Sequence, residues 1–121
     1  MLVLVWGSRM NKILLVDDDP VFLEYVKILL KKCDIICAAN PVQALKKLND
    51  VKLVITDICM PQMNGINFIE NLKKAYSDVP VIAVTGYIHN VDAAKAAGAN
   101  ECFTKPFGEA EIDLICEKYS L

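Results

Sequence analysis

The sequence lacks long hydrophobic runs and clusters of basic residues. Its apolar opening, Leu2 to Trp6, is far shorter than the ~20 residues that a membrane-spanning helix needs. Thirteen lysines and arginines stand against 15 acidic residues, so the net charge is −2. No basic segment is available for nucleic-acid phosphates. We therefore expect no membrane partner and no direct contact with nucleic acid.

Histidine is scarce, and the number of cysteines is odd. The single histidine, His89, lies near the predicted start of a helix, where we expect it to be solvated, and we assign it no role. The five cysteines are scattered through apolar segments without metal-site spacing, and Cys33 and Cys37 are expected to pack in the core. This pattern predicts free thiols in a reducing cytoplasm.

The composition is typical of a compact globular chain. Of the 121 residues, 55% are hydrophobic and 23% are charged. A chain of this length forms one domain with one sizeable core. Residues 1–10 precede the first clear strand and are interpreted as an N-terminal extension, native or left by cloning, whereas residues 11–121 are predicted to form the domain.

Short apolar runs alternate with helical patterns from Lys12 to the end. Such runs predict parallel strands that are covered on both faces. The predicted strands are residues 13–16, 35–39, 53–56, 81–84 and 101–104. A helix is predicted after each of them, so the sequence indicates a doubly wound α/β fold with a five-stranded parallel sheet and five helices.

The predicted helices carry start signals, stop signals and apolar faces. Asp19 is expected to cap the first helix, with Pro20 at its first position, and Asn40 with Pro41 opens the second. The alanine-rich fourth helix ends at Gly98, a natural left-handed cap. The apolar faces of the other helices are Phe22, Val26, Leu29 and Leu30; Ala44, Leu45 and Leu48; Ile66, Ile69 and Leu72; and Ile112, Ile115, Cys116 and Tyr119.

Polar residues follow the predicted strands at their carboxyl ends. Asp17 and Asp18 follow the first strand, Asp57 the third, Thr85 the fourth and Lys105 the fifth. These ends share one edge of a doubly wound sheet, so the three carboxylates would crowd at the strand spacing of ~4.8 Å. A Mg²⁺ ion together with the Lys105 ammonium would balance their charge. With the Thr85 hydroxyl, this set suits phosphoryl transfer to Asp57 as the nucleophile.

Five separated motifs resemble those of the receiver domains of bacterial response regulators. They are LVDDDP at 15–20, TDICMP at 56–61, NG at 64–65, VTG at 84–86, and GA at 98–99 continued by FTKPF at 103–107. The resemblance covers nearly everything from Lys12 to Tyr119. It implies a flavodoxin-like fold with strand order 2-1-3-4-5.

The resemblance also implies a phosphoacceptor function. Asp57 would accept a phosphoryl group from the phosphohistidine of a sensor histidine kinase or a phosphotransfer protein, with Thr85 and Lys105 assisting. The Lys105–Pro106 peptide bond would be cis. Such a domain catalyses only its own phosphotransfer and dephosphorylation, and is not otherwise an enzyme.

Mg²⁺ is the cofactor that the resemblance implies. Its ligands would be Asp18, Asp57 and the backbone carbonyl of Cys59, with Asp17 holding metal-bound water. The family's fourth helix, fifth strand and fifth helix form the output face, so we expect a downstream output protein or domain, and a homodimer is a further option. Output would come by docking to another protein, unless the chain is part of a longer regulator.

Two departures from the family pattern affect signal relay and hydrolysis. Cys102 stands where the family usually has an aromatic switch residue, and the neighbouring Phe103 should face the other side of the sheet. Cys59 and Tyr87 occupy the positions that tune the lifetime of the acyl phosphate. Neither is suited to orient water, so we expect a long-lived phosphorylated form.

Two other functions fit part of the pattern. Asp17 to Asp19 resemble the D-x-D motif of haloacid-dehalogenase-like phosphatases, in which Asp17 would be the nucleophile. That family expects further acids at a strand end, whereas Glu109, Glu111 and Asp113 fall on a helix. The other alternative is a pseudo-receiver that binds partners without phosphorylation.

Overall fold

A five-stranded parallel sheet lies at the centre of the molecule. The computed structural model describes residues 11–60 and 63–121, so the predicted extension at 1–10 and Pro61 of the TDICMP motif lie outside the described residues. The strands are β1 (Lys12–Val16), β2 (Asp34–Ala38), β3 (Leu53–Asp57), β4 (Val81–Thr85) and β5 (Glu101–Thr104). Their order across the sheet is β2-β1-β3-β4-β5, and every pair is parallel. The predicted order 2-1-3-4-5 is therefore confirmed.

In the described residues, four α-helices connect the five strands and a fifth follows β5, as predicted. They are α1 (Pro20–Leu29), α2 (Pro41–Leu45), α3 (Gly65–Ala75), α4 (Val91–Ala96) and α5 (Glu109–Tyr119). A 3₁₀ turn at Ile88–Asn90 precedes α4, and Cys59–Met60 pairs antiparallel with Met63–Asn64 in a short ribbon between β3 and α3. In residues 11–60 and 63–121, no helix combines the length and apolar character needed to cross a membrane.

The helix boundaries follow the local signals in the sequence. The Asp19 side chain accepts a hydrogen bond from the Val21 N–H at 3.0 Å, and Asn40 accepts one from the Gln43 N–H at 2.9 Å. Each of these caps satisfies an N–H group that the first helical turn leaves unpaired. Gly98, just after α4, has a φ of +115°, which an L side chain rarely adopts. The predicted Asp19 cap, the predicted helix start at Asn40 and Pro41, and the predicted glycine stop are confirmed.

The sheet is buried on both faces, because helices cover each of them. One core cluster packs under α2, α3 and α4 around Phe68, and the other packs under α1 and α5 around Ile115. Cys102 packs on the first cluster and Phe103 on the second, so the two side chains face opposite sides of β5 as predicted. Each cysteine, Cys33 and Cys37 included, is a free thiol in the described part of the chain.

The α2 prediction needs correction. Leu45 is 41% exposed and is the last residue of α2, so it does not share a buried face with Ala44 and Leu48. Leu48 is buried, but it lies in the turn after the helix. The helix is one turn long, so a pattern extrapolated at helical spacing fails beyond Leu45. The second strand also begins and ends one residue earlier than predicted, at Asp34–Ala38.

Candidate functional site

Three aspartates meet at the carboxyl edge of the sheet. Asp57 is the last residue of β3, and Asp17 directly follows β1, whose Val16 pairs with Thr56 of β3. One carboxylate oxygen from each of Asp17, Asp18 and Asp57 lies within 4.8 Å of the other two. Asp17 is fully buried and Asp57 is only 5% exposed, whereas Asp18 is exposed. The edge therefore concentrates negative charge, and two of its three carboxylates are shielded from solvent.

Lys105 supplies a positive charge beside this cluster. Its Nζ lies 3.6 Å from Asp57 Oδ2 and 3.8 Å from Asp17 Oδ2, so it makes ion pairs with both carboxylates. The backbone N–H of Lys105 donates to the Thr85 carbonyl at 2.7 Å, which ties the end of β5 to the end of β4. The Lys105–Pro106 peptide bond is cis, as predicted.

An aromatic cluster lies beside the Lys105 ammonium. Lys105 Nζ lies 5.1 Å from the ring centroid of Phe22 on α1, within the range of a cation–π interaction. The Phe22 ring contacts Phe107, which in turn contacts Phe103. The sequence places Phe22 on the apolar face of α1 but gives no sign that its ring lies under the lysine.

Burial makes the charged forms of the two inner carboxylates costly. It raises the pKa of Asp17 from 3.8 to about 6, and the Asp57 carboxylate adds to the rise, whereas the Asp19 N–H and Lys105 oppose it. Burial also raises the pKa of Asp57, against Lys105 and the N–H groups of Cys59 and Ile58. Lys105 alone therefore leaves the cluster short of positive charge.

The donor set fits a hard divalent cation. Asp17 Oδ1 accepts the Asp19 N–H at 2.8 Å, but Asp17 Oδ2 is buried and has no hydrogen-bond partner among the described residues. A buried carboxylate oxygen without a partner is costly and rare. Carboxylate and carbonyl oxygens are the ligands that Mg²⁺ prefers, so Asp17, Asp18 and Asp57 could hold that ion.

Asp17→Asn is expected to raise the free energy of unfolding of the metal-free protein by roughly 1–3 kcal/mol at about pH 7.5. The folded-state pKa of Asp17 is raised, so the folded state binds this proton more tightly than the unfolded chain does. Ionisation between pH 3.8 and about 6 therefore costs stability, and the asparagine avoids that cost. Urea unfolding with a chelator should show no gain at about pH 4 and the full gain above about pH 6.

Saturating Mg²⁺ should reverse this difference. The ion binds the folded wild type and stabilises it by mass action, while the variant has lost one carboxylate. A gain in stability for Asp17→Asn that is the same at both pH values, or that persists with Mg²⁺, would contradict the prediction. It would mean that the loss of stability does not come from the charge on Asp17.

The Thr85 hydroxyl is held by the loop that follows β4. Thr85 is buried at the end of β4, one residue beyond Val84, which pairs with Asp57. Its Oγ1 accepts the Tyr87 N–H at 3.1 Å and the Asn90 side-chain amide at 3.1 Å. Sequence reasoning missed Asn90, since nothing in its spacing from Thr85 signals the contact.

The two predicted tuning positions, Cys59 and Tyr87, lie on the loops that flank Asp57. Cys59 is exposed, and its backbone N–H donates to Asp57 Oδ1 at 3.3 Å. Tyr87 is 57% exposed, and its ring packs against His89 with centroids 5.6 Å apart. Cys102, at the expected switch position, is half-buried on β5 opposite Ala83 of β4.

Comparisons with known proteins give one consistent family. A model of the response regulator receiver domain matches residues 13–117. The CpxR homolog of Haemophilus influenzae, a transcriptional regulatory protein by name, is 39% identical over 108 residues, which are 85% of this chain and 47% of that protein. The chemotaxis protein CheY homolog of Campylobacter jejuni is 38% identical over 106 residues, 79% of this chain and 82% of the relative. The chain thus spans about half the length of the first of these relatives.

Solved structures share the fold over most of the chain. The response regulator protein TrrA of Thermotoga maritima, solved in complex with Mg²⁺ and beryllium fluoride, has a TM-score of 0.83 and 32% identity, covering 91% of this chain and 99% of the other. A CheY-like receiver domain protein of Methanospirillum hungatei has a TM-score of 0.84 and 30% identity, covering 92% and 94%. The similarity therefore takes in nearly all of the described fold.

Proposed function

Since this chain belongs to the response regulator receiver domain family, we propose that Asp57 accepts a phosphoryl group and that its phosphorylation controls an output. The family places the chain in two-component signalling. The observation that carries the proposal is the meeting of three carboxylates and the Lys105 ammonium at one edge of the sheet. The same edge is where doubly wound folds bind ligands.

Asp57 is the carboxylate best placed to act as a nucleophile. Its Oδ1 accepts the Cys59 N–H and its Oδ2 faces Lys105. In the proposed step, a carboxylate oxygen of Asp57 forms a bond to phosphorus, while the bond from phosphorus to the donor's imidazole nitrogen breaks. That nitrogen leaves with the electron pair and takes up a proton. The Asp57 carboxylate carries no proton in its reactive form, so the step needs no general base.

The other residues would act by charge and by hydrogen bonding. Receiver domains bind Mg²⁺ at an aspartate cluster of this kind, where the ion supplies charge neutralisation to the phosphoryl oxygens. We assign its ligands to Asp18, Asp57 and the Cys59 carbonyl, with Asp17 orienting bound water. Lys105 would form an ion pair with a phosphoryl oxygen, and the Thr85 hydroxyl would donate to another.

A sensor histidine kinase or a phosphotransfer protein would donate the phosphoryl group. An output protein or domain would bind this chain and respond to its phosphorylation. We place the output surface on α4, β5 and α5, where β5 is the edge strand of the sheet. A groove of about 360 Å³ runs between β5 and α5 and is lined in part by Phe103, Leu114 and Tyr119. A coupling of ~1–3 kcal/mol between Asp57 and this surface would be enough for regulation.

Mass mapping after incubation with Mg²⁺ and acetyl phosphate tests the proposal. We expect one phosphoryl group on Asp57, removable by hydroxylamine because it is an acyl phosphate. The label should be absent with a chelator and in Asp57→Asn. A label on Asp17 would instead indicate phosphatase chemistry of the haloacid-dehalogenase type, and an unlabelled wild type would indicate a pseudo-receiver.

Cys59→Asn and Tyr87→Ala are each expected to speed decay of the phosphorylated form, by roughly 3- to 10-fold. Asparagine hydrogen-bonds an attacking water better than the thiol does, and we expect that loss of the Tyr87 ring, on the loop after β4, gives water freer access to the site. Decay of isolated phosphoprotein, followed by intact mass, measures both effects. Unchanged or slower decay in both variants would show that these positions do not set the lifetime.

A further inference from the structure

Asn90 joins the two loops that flank Asp57. Its side-chain Nδ2 donates to Thr85 Oγ1 at 3.1 Å and lies 3.6 Å from Cys59 Sγ. Thr85 ends β4, whereas Cys59 follows β3, so one carboxamide reaches both sides of the phosphoacceptor. Asn90 is half-buried at the end of the 3₁₀ turn that leads into α4.

The position of Asn90 in the helix makes this contact unexpected. Asn90 stands at the N-cap of α4, where asparagine ordinarily accepts a hydrogen bond from the first helical turn. Within the described chain its side chain makes no such bond, and its backbone is helical, with φ −83° and ψ −11°. Asn40 and Asn64, at the N-caps of α2 and α3, do cap their helices. The Asn90 side chain therefore does not cap α4 and instead donates a hydrogen bond to Thr85.

The contact fixes what the Thr85 hydroxyl can do. A hydroxyl has two acceptor sites and one proton. The Tyr87 N–H and the Asn90 amide fill both acceptor sites of Oγ1. The two bonds therefore confine the proton to the remaining direction, and its present acceptor, the Tyr87 carbonyl, is distant at 3.4 Å, well beyond the usual ~2.7–2.8 Å. A phosphoryl oxygen would be a much stronger acceptor.

We propose that Asn90 is a positioning residue for phosphoryl binding: its amide occupies a lone pair of the Thr85 hydroxyl and so orients that hydroxyl for donation to a phosphoryl group on Asp57. This inference rests on the proposed function, because it concerns the same site. Asn90 does not itself contact the phosphoryl group. It acts through the Thr85 hydroxyl.

A double-mutant cycle with beryllofluoride, a non-covalent mimic of the phosphoryl group, tests the proposal. Dissociation constants are measured with saturating Mg²⁺ for the wild type, Asn90→Ala and Asn90→Asp, and for the same changes in Thr85→Ala. We expect a loss of affinity of roughly 3- to 10-fold in Asn90→Ala, the range for one hydrogen bond. Asn90→Asp should lose more, because its carboxylate accepts the Thr85 proton instead of donating to the oxygen.

The Thr85→Ala background separates positioning from general effects. If Asn90 acts through the hydroxyl, Asn90→Ala should have little effect there, within about 2-fold, which is ordinary additivity error, whereas Asn90→Asp should keep only the part of its loss that comes from charge repulsion. Mg²⁺ affinity without beryllofluoride should not change in Asn90→Ala. Equal losses in both backgrounds, or no loss in either, would overturn the role of Asn90 while leaving the proposed function intact. A wild type that does not bind beryllofluoride would overturn the proposed function itself.

Discussion

Lys105→Met is expected to slow phosphorylation of Asp57 by acetyl phosphate roughly 100-fold or more, in line with removal of one preorganised charge partner from a transition state. The ammonium lies 3.6 Å from Asp57 Oδ2, so it is in place before the donor arrives. Methionine keeps most of the length and packing of the side chain over Phe22 but removes the charge. Initial rates of mass gain, at saturating Mg²⁺, measure the effect.

The same substitution should act in the opposite direction on Mg²⁺. Lys105 lies within 4 Å of both buried carboxylates, and the two cations compete for the same negative charge. Without the ammonium, the affinity of the cluster for Mg²⁺ should rise or stay the same. A slow reaction combined with undiminished Mg²⁺ binding distinguishes a lost charge partner from a disrupted site.

Lys27→Met provides the matched control. Lys27 is an exposed lysine on α1 that pairs with Glu24 one turn away, and such surface pairs contribute little. Its removal should leave both the rate and the Mg²⁺ affinity unchanged. If Lys105→Met reacted as fast as Lys27→Met, the assignment of Lys105 to the reaction would be wrong.

The meeting of the acids with Lys105 could be predicted because it depends on topology. In a parallel sheet all strands point the same way, so residues that follow β1, β3 and β5 share an edge whatever the details of packing. Asp17, Asp57 and Lys105 each directly follow a strand that the sequence predicts. The set of charged side chains at the carboxyl edge of the sheet can therefore be predicted from the sequence alone.

The contacts of Asn90 and Phe22 could not be predicted, because they depend on the path of loops and the tilt of a helix. Asn90 reaches Thr85 only because a 3₁₀ turn at Ile88–Asn90 brings it back over the end of β4. Sequence logic assigns an asparagine at that position to capping. Phe22 follows the helical pattern of a core residue, and only packing shows its ring beneath the Lys105 ammonium.

Predictions of local detail were wrong where an element is too short for a period to be recognised. The single turn of α2 is too short for apolar positions to recur at helical spacing. Extrapolating that spacing wrongly predicts that Leu45 is buried, whereas its side chain is exposed. The ribbon between β3 and α3 has two residues in each strand, below the length at which alternation can be recognised. Phe68 was missed for another reason: it lies beside the predicted stripe of α3 and is fully buried.

Gly65→Ala is expected to lower the free energy of unfolding by about 2–3 kcal/mol, the upper range for overpacking a core position. Gly65 is the first residue of α3 and is buried against the loop that leaves β3. An added Cβ would lie 2.6 Å from the Ile58 Cα and closer still to the Ile58 carbonyl oxygen. Backbone atoms cannot rotate away as a flexible side chain can, so either α3 or the loop must shift. The gain in helix propensity from alanine, up to ~1 kcal/mol, does not offset this clash.

The shift should also reach the phosphoacceptor site, because Ile58 precedes Cys59, whose N–H donates to Asp57. We therefore expect weaker beryllofluoride binding as well as a drop in the midpoint of urea unfolding. Gly86→Ala is the matched stability control, since no atom lies within 4 Å of its added Cβ, and its stability should stay within about 0.5 kcal/mol of the wild type. Equal stability of the two alanine variants would mean that the close approach of α3 to Ile58 does not constrain the loop that presents Cys59 to Asp57.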